Sequence, residues 1–422
     1  MKQLSIALFL HGLCALAAAQ ERPMVDPLQA MLPPAHQVQD VVLRSPATRA
    51  ALAQRDGQLR RADITESGTA EFTARLSQQS RRVSDPAEHY METAISLDRP
   101  VRWWGKAGLD ADQAGAGRNS ARLAYADAIH ETSRELLQLW IEAWRAGMRL
   151  DNAQTNLALA QELERLAAAR LRQGEISQLD ASLAQAELQR AQAALDQSRA
   201  AQAGAIARLA RNYPGLTLTQ APVPDAAWLQ TRAEALPALP ELRQQYLERN
   251  HQLNLWRSEA ARLRLLAQRT ERDQWPDPTL GVYTANERAG TERIFGVSIS
   301  VPISGKLRQN HALAAAADAQ IAEDRVRQLE LSLGADIEAR YNGLQHQTRA
   351  AISVGTAAQT QLSAAEKSRK AYALGEHTMT ELIQNRRLAT EQLTGARLAQ
   401  MEVLEVLALI ELDLHLIWDF DE

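Results

Sequence analysis

The placement of proline constrains this chain more than any other feature. Of 15 prolines in 422 residues, none falls between Pro100 and Pro214, a run of 113 residues, and none follows Pro302, a run of 120. Proline in a helix interior costs about 3 kcal/mol through a lost hydrogen bond and a ring clash. Two arms without one can therefore form helices far longer than a single globular core can wrap. Counted from Gly105 to Gly174 and from Gly305 to Gly375, each outgoing helix runs for nearly 70 residues, roughly 100 Å at 1.5 Å per residue. Alanine makes up 76 residues, about 18%, while aromatics are only 5%, so small side chains favour closely packed helices. Apolar residues recur at mixed three- and four-residue steps, as in Leu159, Leu163, Leu166, then Leu179, Leu183, Ala186, and Leu333, Ile337, Tyr341, Leu344. That spacing predicts coiled-coil seams, with polar faces wetted along their length. Gly147, Gly334 and Gly355 each cost about 1 kcal/mol against alanine and argue mildly against unbroken helix.

Ahead of each arm the period changes to two. Phe72, Ala74 and Leu76 alternate with Glu71, Thr73 and Arg75, and Met91, Thr93, Ile95 and Leu97 alternate with Glu92, Ala94, Ser96 and Asp98. Further on, Leu280 and Val282 alternate with Gly281 and Tyr283, and Phe295, Val297, Ile299 and Val301 with Gly296, Ser298 and Ser300. Each predicted strand has about 9 to 11 residues, enough for one tilted crossing of a bilayer. Polar hairpin connections are expected at 82–88 and 286–292. An ordinary soluble four-stranded sheet fits the same alternation, because barrel signals are weak per segment.

The two arms belong to an internal duplication. Residues 45–65, opening at Ser45-Pro46, answer residues 239–259, opening at Leu239-Pro240; "ISLDRPVRWWGK" ending at Lys106 answers "VSISVPISGK" ending at Lys306; "RLRQGEISQLD" answers "AYALGEHTMTE". The offset drifts through 194, 200 and 201, as small loop insertions would cause. This predicts a first repeat over 46–213, a linker over 214–239 holding Pro214, Pro222, Pro224 and Pro237, and a second repeat over 240–422. Each repeat reads helix, two strands, long helix, sharp turn, long helix, with Pro100 and Pro302 marking the passage from strand to helix.

At the start, Lys2, an apolar stretch over 4–19 and Ala17-Ala18-Ala19 before Gln20 have the form of a secretory signal at 1–19, followed by an N-terminal segment at 20–45. Cys14, the one cysteine, lies inside that signal, so the exported chain carries no disulfide framework. A net charge of -4 without a basic block gives a nucleic acid no electrostatic footprint. Neither Gly-Lys pair is a phosphate loop, since Pro100 and Ser300 stand where its first glycine belongs. The segment at 130–134 lacks the second histidine of a zinc-protease helix, and no two of the nine histidines are spaced i, i+4. No catalytic, cofactor or metal site is therefore expected, and the chain is not read as an enzyme. Trp103, Trp104 and Trp418 suit either an interfacial aromatic belt or helix packing.

Four bilayer-length strands cannot close a barrel of useful bore, and open edges in lipid leave amides unsatisfied at several kcal/mol each. Three chains of four strands would close at twelve. The duplicated plan, the "RPVRWWGK" and "VPISGK" junctions and the "GEISQLD" and "GEHTMTE" turns resemble the TolC-like outer-membrane efflux ducts, from about Gln39 to Trp418. The resemblance implies a mainly α fold with a membrane β-barrel, a homotrimer in outer-membrane lipid, and a helical tunnel reaching through the periplasm to an adaptor and an inner-membrane pump. The short length and compact C-terminus are similar to the heavy-metal-efflux, CzcC-like branch. It implies adaptor-contacting tips at Arg172, Gly174 and Glu175 and at Leu374, Gly375 and Glu376, with aperture acids at Asp180 and Glu381. Gln384 stands where some members carry a second acid, and His377 is read as tying the tips closed through Asp180 or Glu381. The competing expectation is a soluble periplasmic coiled-coil adaptor or scaffold without a barrel.

Overall fold

The computed structural model describes residues 26–68, 71–218 and 223–420. The expected signal at 1–19 lies outside them. The described chain begins with short helices α1 (Pro27–Met31) and α2 (Ala35–Arg44), then α3 (Pro46–Ser67), strands β1 (Thr73–Ser84) and β2 (Ala87–Pro100), and long helices α4 (Lys106–Gln173) and α5 (Gln178–Asn212). The order then recurs as α6 (Ala226–Glu234), α7 (Leu239–Arg249), α8 (His251–Arg272), β3 (Thr279–Glu287), β4 (Glu292–Ser300), α9 (Lys306–Ala373) and α10 (Met379–Asp413). Both outgoing helices have 68 residues and both returning helices 35.

The order of elements recurs, in a register that differs from the expected one at the start. Ser45 and Asn250 are the N-caps of α3 and α8, each 22 residues long and each leading into a strand, so Ser45-Pro46 corresponds to Asn250-His251, not to Leu239-Pro240. By the same order, α1 and α2 answer α6 and α7. The segment at 214–239 therefore carries α6, whose Leu229 and Ala233 are buried. Both Ser45 and Asn250 accept a hydrogen bond from the backbone N–H three residues on, which is why each helix starts there.

The main core lies at the equator, where the short helices belt the long ones. Val38 and Val42, Leu136, Leu137 and Trp140, Leu209, Leu242, Ile337 and Leu344, and Leu404 and Leu407 all meet in it. Trp140 Nε1 donates to Met31 O at 2.8 Å and ties α1 to α4. Trp418 belongs to this core, which settles its role as helix packing. Below it, two separate small clusters hold the hairpins together: Leu150, Leu157, Ala160, Ala191 and Leu195, then Leu163, Ala167, Ala184, Met379, Leu382 and Ile383. The seam of α4 thus runs through Leu157, Ala160, Leu163 and Ala167. Leu159 and Leu166 face outward in the single chain, a register that small alanines make hard to read. Gly147, Gly334 and Gly355 do not break their helices. Gly334 faces α7, where a Cβ would stand 2.9 Å from the Arg243 guanidinium, the flexible end of a long side chain.

The four strands form one antiparallel sheet in the order β1-β2-β3-β4, leaving β1 and β4 as edges. β1 and β2 have 12 and 14 residues, longer than expected, because the first connection is a tight turn at Asp85-Pro86. Pro100 ends β2 and Pro302 lies just past β4, but each long helix starts at a lysine after Gly105 or Gly305. The prolines stop the ladder without starting the helix. Among the described residues no helix is long and apolar enough to cross a membrane.

Candidate functional site

The sheet separates two chemistries. The register aligns Leu97, Val282 and Val297 in one row, Ile95, Thr284 and Phe295 in the next, and Leu280 with Ile299. This face stands open, with Phe295 and Val297 each 78% exposed, so it is built to be covered by something apolar. The opposite face is polar and internally bonded. Gln79 Nε2 donates to Glu92 Oε2 at 2.8 Å, Arg81 lies 3.3 Å from Glu92 and 3.7 Å from Glu287, and Ser96 donates to Asp98 at 2.9 Å. Space on this face is made by glycine. Gly296 pairs with Tyr283, and a Cβ at Gly296 would lie 2.5 Å from the tyrosine ring, so the aromatic lies across the bare backbone opposite.

Where sheet meets helices, a charged collar fixes their junction. Lys106 is buried; its Nζ donates to Trp275 O at 2.7 Å and pairs with Asp273 and Asp277. Arg269 Nε donates to Asp110 at 2.6 Å, and Arg102 reaches both Asp110 and Glu66 O. Burial opposes ionisation of Asp273, but hydrogen bonds from Lys106 and Arg269 outweigh it and hold the carboxyl below its ordinary range. Trp103, Trp104 and Trp275 line a shallow, exposed hollow beside this collar. In the sequence Lys106 stands out only as part of a Gly-Lys pair, and nothing local marks this buried role.

The two far turns are built alike. Gly174 and Gly375 have φ of 74° and 82°, where a side chain is strained, and backbone bonds Glu175 N to Arg170 O and Glu376 N to Ala371 O close each helix end at 2.9 Å. Ser177 and Thr378 then restart the chain as capping boxes whose third residues are Asp180 and Glu381. Thr378 donates to Glu381 Oε2 through its N–H at 2.7 Å and its hydroxyl at 2.8 Å. Those bonds, with a smaller contribution from His377, hold the Glu381 carboxyl below its usual range, so it carries a full charge at neutral pH. Arg172, Gly174, Glu175, Leu374, Gly375, Glu376 and Gln384 are exposed, and Asp180 is half-buried. His377 Nδ1 lies 3.0 Å from Ser368 Oγ of its own hairpin; the contact is with Ser368, not with either acid.

The tips of the two repeats also meet. Arg387 of α10 donates through Nε to Glu187 of α5 at 2.8 Å, Arg190 lies 3.2 Å from the same carboxylate, and the Arg170 guanidinium covers the Tyr372 ring at 5.1 Å. Glu187 is buried, so loss of Arg387 would leave its carboxylate short of a partner. At the equator, three histidines that the sequence spreads widely come together: His130 on α4, His251 at the first position of α8, and His415 just after α10. No local spacing announces either arrangement.

No protein-family model and no curated protein matches the chain. Solved structures do, and they show its fold, which is that of TolC-like outer-membrane channels. The chain is similar to the outer-membrane channel OprN at 17% identity and a TM-score of 0.76, covering 92% of each chain. It is similar to the Campylobacter jejuni CmeC outer membrane channel at 10% identity and a TM-score of 0.74, covering 90% of this chain and 85% of that one. Against the outer membrane protein VceC of Vibrio cholerae the identity is 15% and the TM-score 0.71, covering 90% and 94%.

Proposed function

We propose that three copies of this chain close a twelve-stranded barrel in the outer membrane and a continuous helical tunnel beneath it, forming the exit duct of a tripartite efflux system. The observation that carries this reading is a four-stranded sheet, apolar on one face and polar on the other, with both edges open. In lipid such edges demand partners, and pairing β4 of one copy with β1 of the next supplies them. The helices agree. α4 is flanked within the chain by α3 and α8, whereas α9 has α8 on one side and leaves Leu307, Leu313 and Ile321 exposed, a face suited to α3 of a neighbouring copy. The apolar rows then face outer-membrane lipid, Trp103, Trp104 and Trp275 sit at its periplasmic border, and Arg81, Glu92 and Asp98 line the bore.

The exposed tips at Arg172, Gly174 and Glu175 and at Leu374, Gly375 and Glu376 are the surface offered to a periplasmic adaptor, which couples the duct to an inner-membrane pump. Three copies of Glu381, charged at neutral pH, favour cations at the aperture. Heavy-metal cations are the cargo to test first, on the resemblance to the CzcC-like branch. Export by the signal at 1–19 delivers the chain to the periplasm. The reading is tested by fractionation and by planar-bilayer conductance. Heat-modifiable trimers in the outer membrane that conduct ions support it, and a folded monomer in detergent-free buffer overturns it. A deletion strain challenged with metal salts and antibiotics identifies the cargo.

A further inference from the structure

We propose that His130, His251 and His415 form a binding site for a divalent transition-metal ion, of the kind that takes imidazole ligands, at the equator. One ring nitrogen from each lies within 4.8 Å of the other two, and the ring centroids are 4.7 to 5.6 Å apart. Nitrogens bound to one tetrahedral Zn2+ at 2.0–2.1 Å are about 3.4 Å apart, so the rings need to close by about 1.5 Å at most. Imidazole suits zinc, copper and nickel, and three protein ligands with a fourth position left to water is an established zinc arrangement.

The setting supports ligation. His130 Nε2 lies 3.2 Å from Asp413 Oδ1 and 3.3 Å from Arg134 Nη2, and His415 Nδ1 lies 3.3 Å from Asp419 Oδ1. A carboxylate against one ring nitrogen is the outer arrangement that fixes the orientation of metal-binding histidines. A cavity of about 250 Å³ opens onto His130 and His251, and its lining acids Asp127, Glu131 and Asp336 outnumber Arg134 and Arg340, both of which already engage Asp413. A cation therefore has both a path and a favourable field.

The second, independent observation is in the backbone. Leu416 N donates to Glu411 O at 2.8 Å and His415 N to Leu412 O at 3.0 Å, the paired bonds that end a helix through a left-handed residue. That residue is His415, with φ of 58°, where glycine or asparagine is the ordinary choice. Strain retained at a position that glycine would relieve points to a use for the side chain. Bound metal would staple α4 of the first repeat, α8 of the second and the end of α10 at one point, a structural tie independent of the duct's cargo.

The test uses the full chain in detergent, freed of any histidine tag and stripped with EDTA, titrated with Zn2+ by calorimetry and with Co2+ by visible absorption. One metal per chain is expected, with the intense visible bands of tetrahedral cobalt. H415N keeps a residue that tolerates the left-handed turn, and should weaken Zn2+ binding by about 100-fold or more, the upper end of what loss of an outer partner alone causes. H346Q, at an exposed position on α9, should bind as the parent does. Fewer than about 0.1 equivalents bound by the parent chain, or equal affinity in H415N, overturns the proposal. Should a variant fail to fold by circular dichroism, the stoichiometry and cobalt spectrum of the parent chain decide alone.

Discussion

Lys106 Nζ lies 2.8 Å from Asp277 Oδ1 and 2.8 Å from Asp273 Oδ1, with 1% of the lysine side chain exposed. Asp277 also accepts from Trp103 N at 2.7 Å, so one buried ammonium joins the segment leaving β2 to the segment entering β3. Removing one member of a buried pair strands the other, at about 3 kcal/mol or more. Lys106→Ala should lower the unfolding free energy by about 3 kcal/mol, read by denaturant titration followed by circular dichroism. A change under about 0.5 kcal/mol would mean that the collar adds nothing.

The same network carries a pH dependence. Asp273 has its folded-state value depressed, so its stabilisation is fully present above the ordinary carboxylate value of about 3.9 and is lost as pH falls through the lower folded value. Acid unfolding of the parent chain below about pH 4 should therefore be blunted in Asp273→Asn, which has less left to lose. Identical acid profiles for the two would contradict this.

Gly296 and Tyr283 make a cross-strand pair that admits no Cβ. Gly296→Val should destabilise the sheet by about 1–3 kcal/mol through overpacking, and adding Tyr283→Ser should recover most of it. A double-mutant cycle on thermal dissociation of the purified assembly measures the coupling. Additive losses would mean that the ring does not cross the glycine.

Arg387 and Glu187 join the tips of the two repeats. Arg387→Ala leaves a buried carboxylate with Arg190 alone, and on the proposed duct it should raise the single-channel conductance, since the cross-repeat tie is gone. Arg387→Lys, which keeps charge but not the fork, should fall between. Unchanged conductance in both would place the constriction elsewhere.

Gly375 has a positive φ, yet nothing lies within 4 Å of where a Cβ would stand, so Gly375→Ala should cost only about 1 kcal/mol, from backbone strain. If the tip meets an adaptor, a bulkier Gly375→Trp should abolish efflux in cells while leaving conductance in bilayers intact. Loss of both would assign the glycine to folding alone.

Much of this is legible in the sequence because it repeats. Phe295, Val297 and Ile299 show their shared face by period two, and Gly174 and Gly375 show their turns by sitting between arms that no proline interrupts. What stays hidden depends on where distant segments meet. Leu159 and Leu163 are equally apolar, and only packing against Ala184 and its neighbours decides which is covered. Ser45 pairs with the wrong partner on sequence alone because α3, α7 and α8 share an arginine- and glutamine-rich composition, whereas caps and lengths distinguish them. His130, His251 and His415 come from three separate elements, so no spacing rule finds them.

The lower hairpins hang from the equator on clusters that share no residue with the main core. The stretch of α5 below the main core, from Gln178 to Gly204, is an arm about 40 Å long at 1.5 Å per residue. Swinging such an arm by about 10° carries its end through about 7 Å, by the same helical rise. The leverage lies in the geometry: small adjustments of angle at the belt become wide excursions of the mouth, and the large apolar interior above has no need to rearrange.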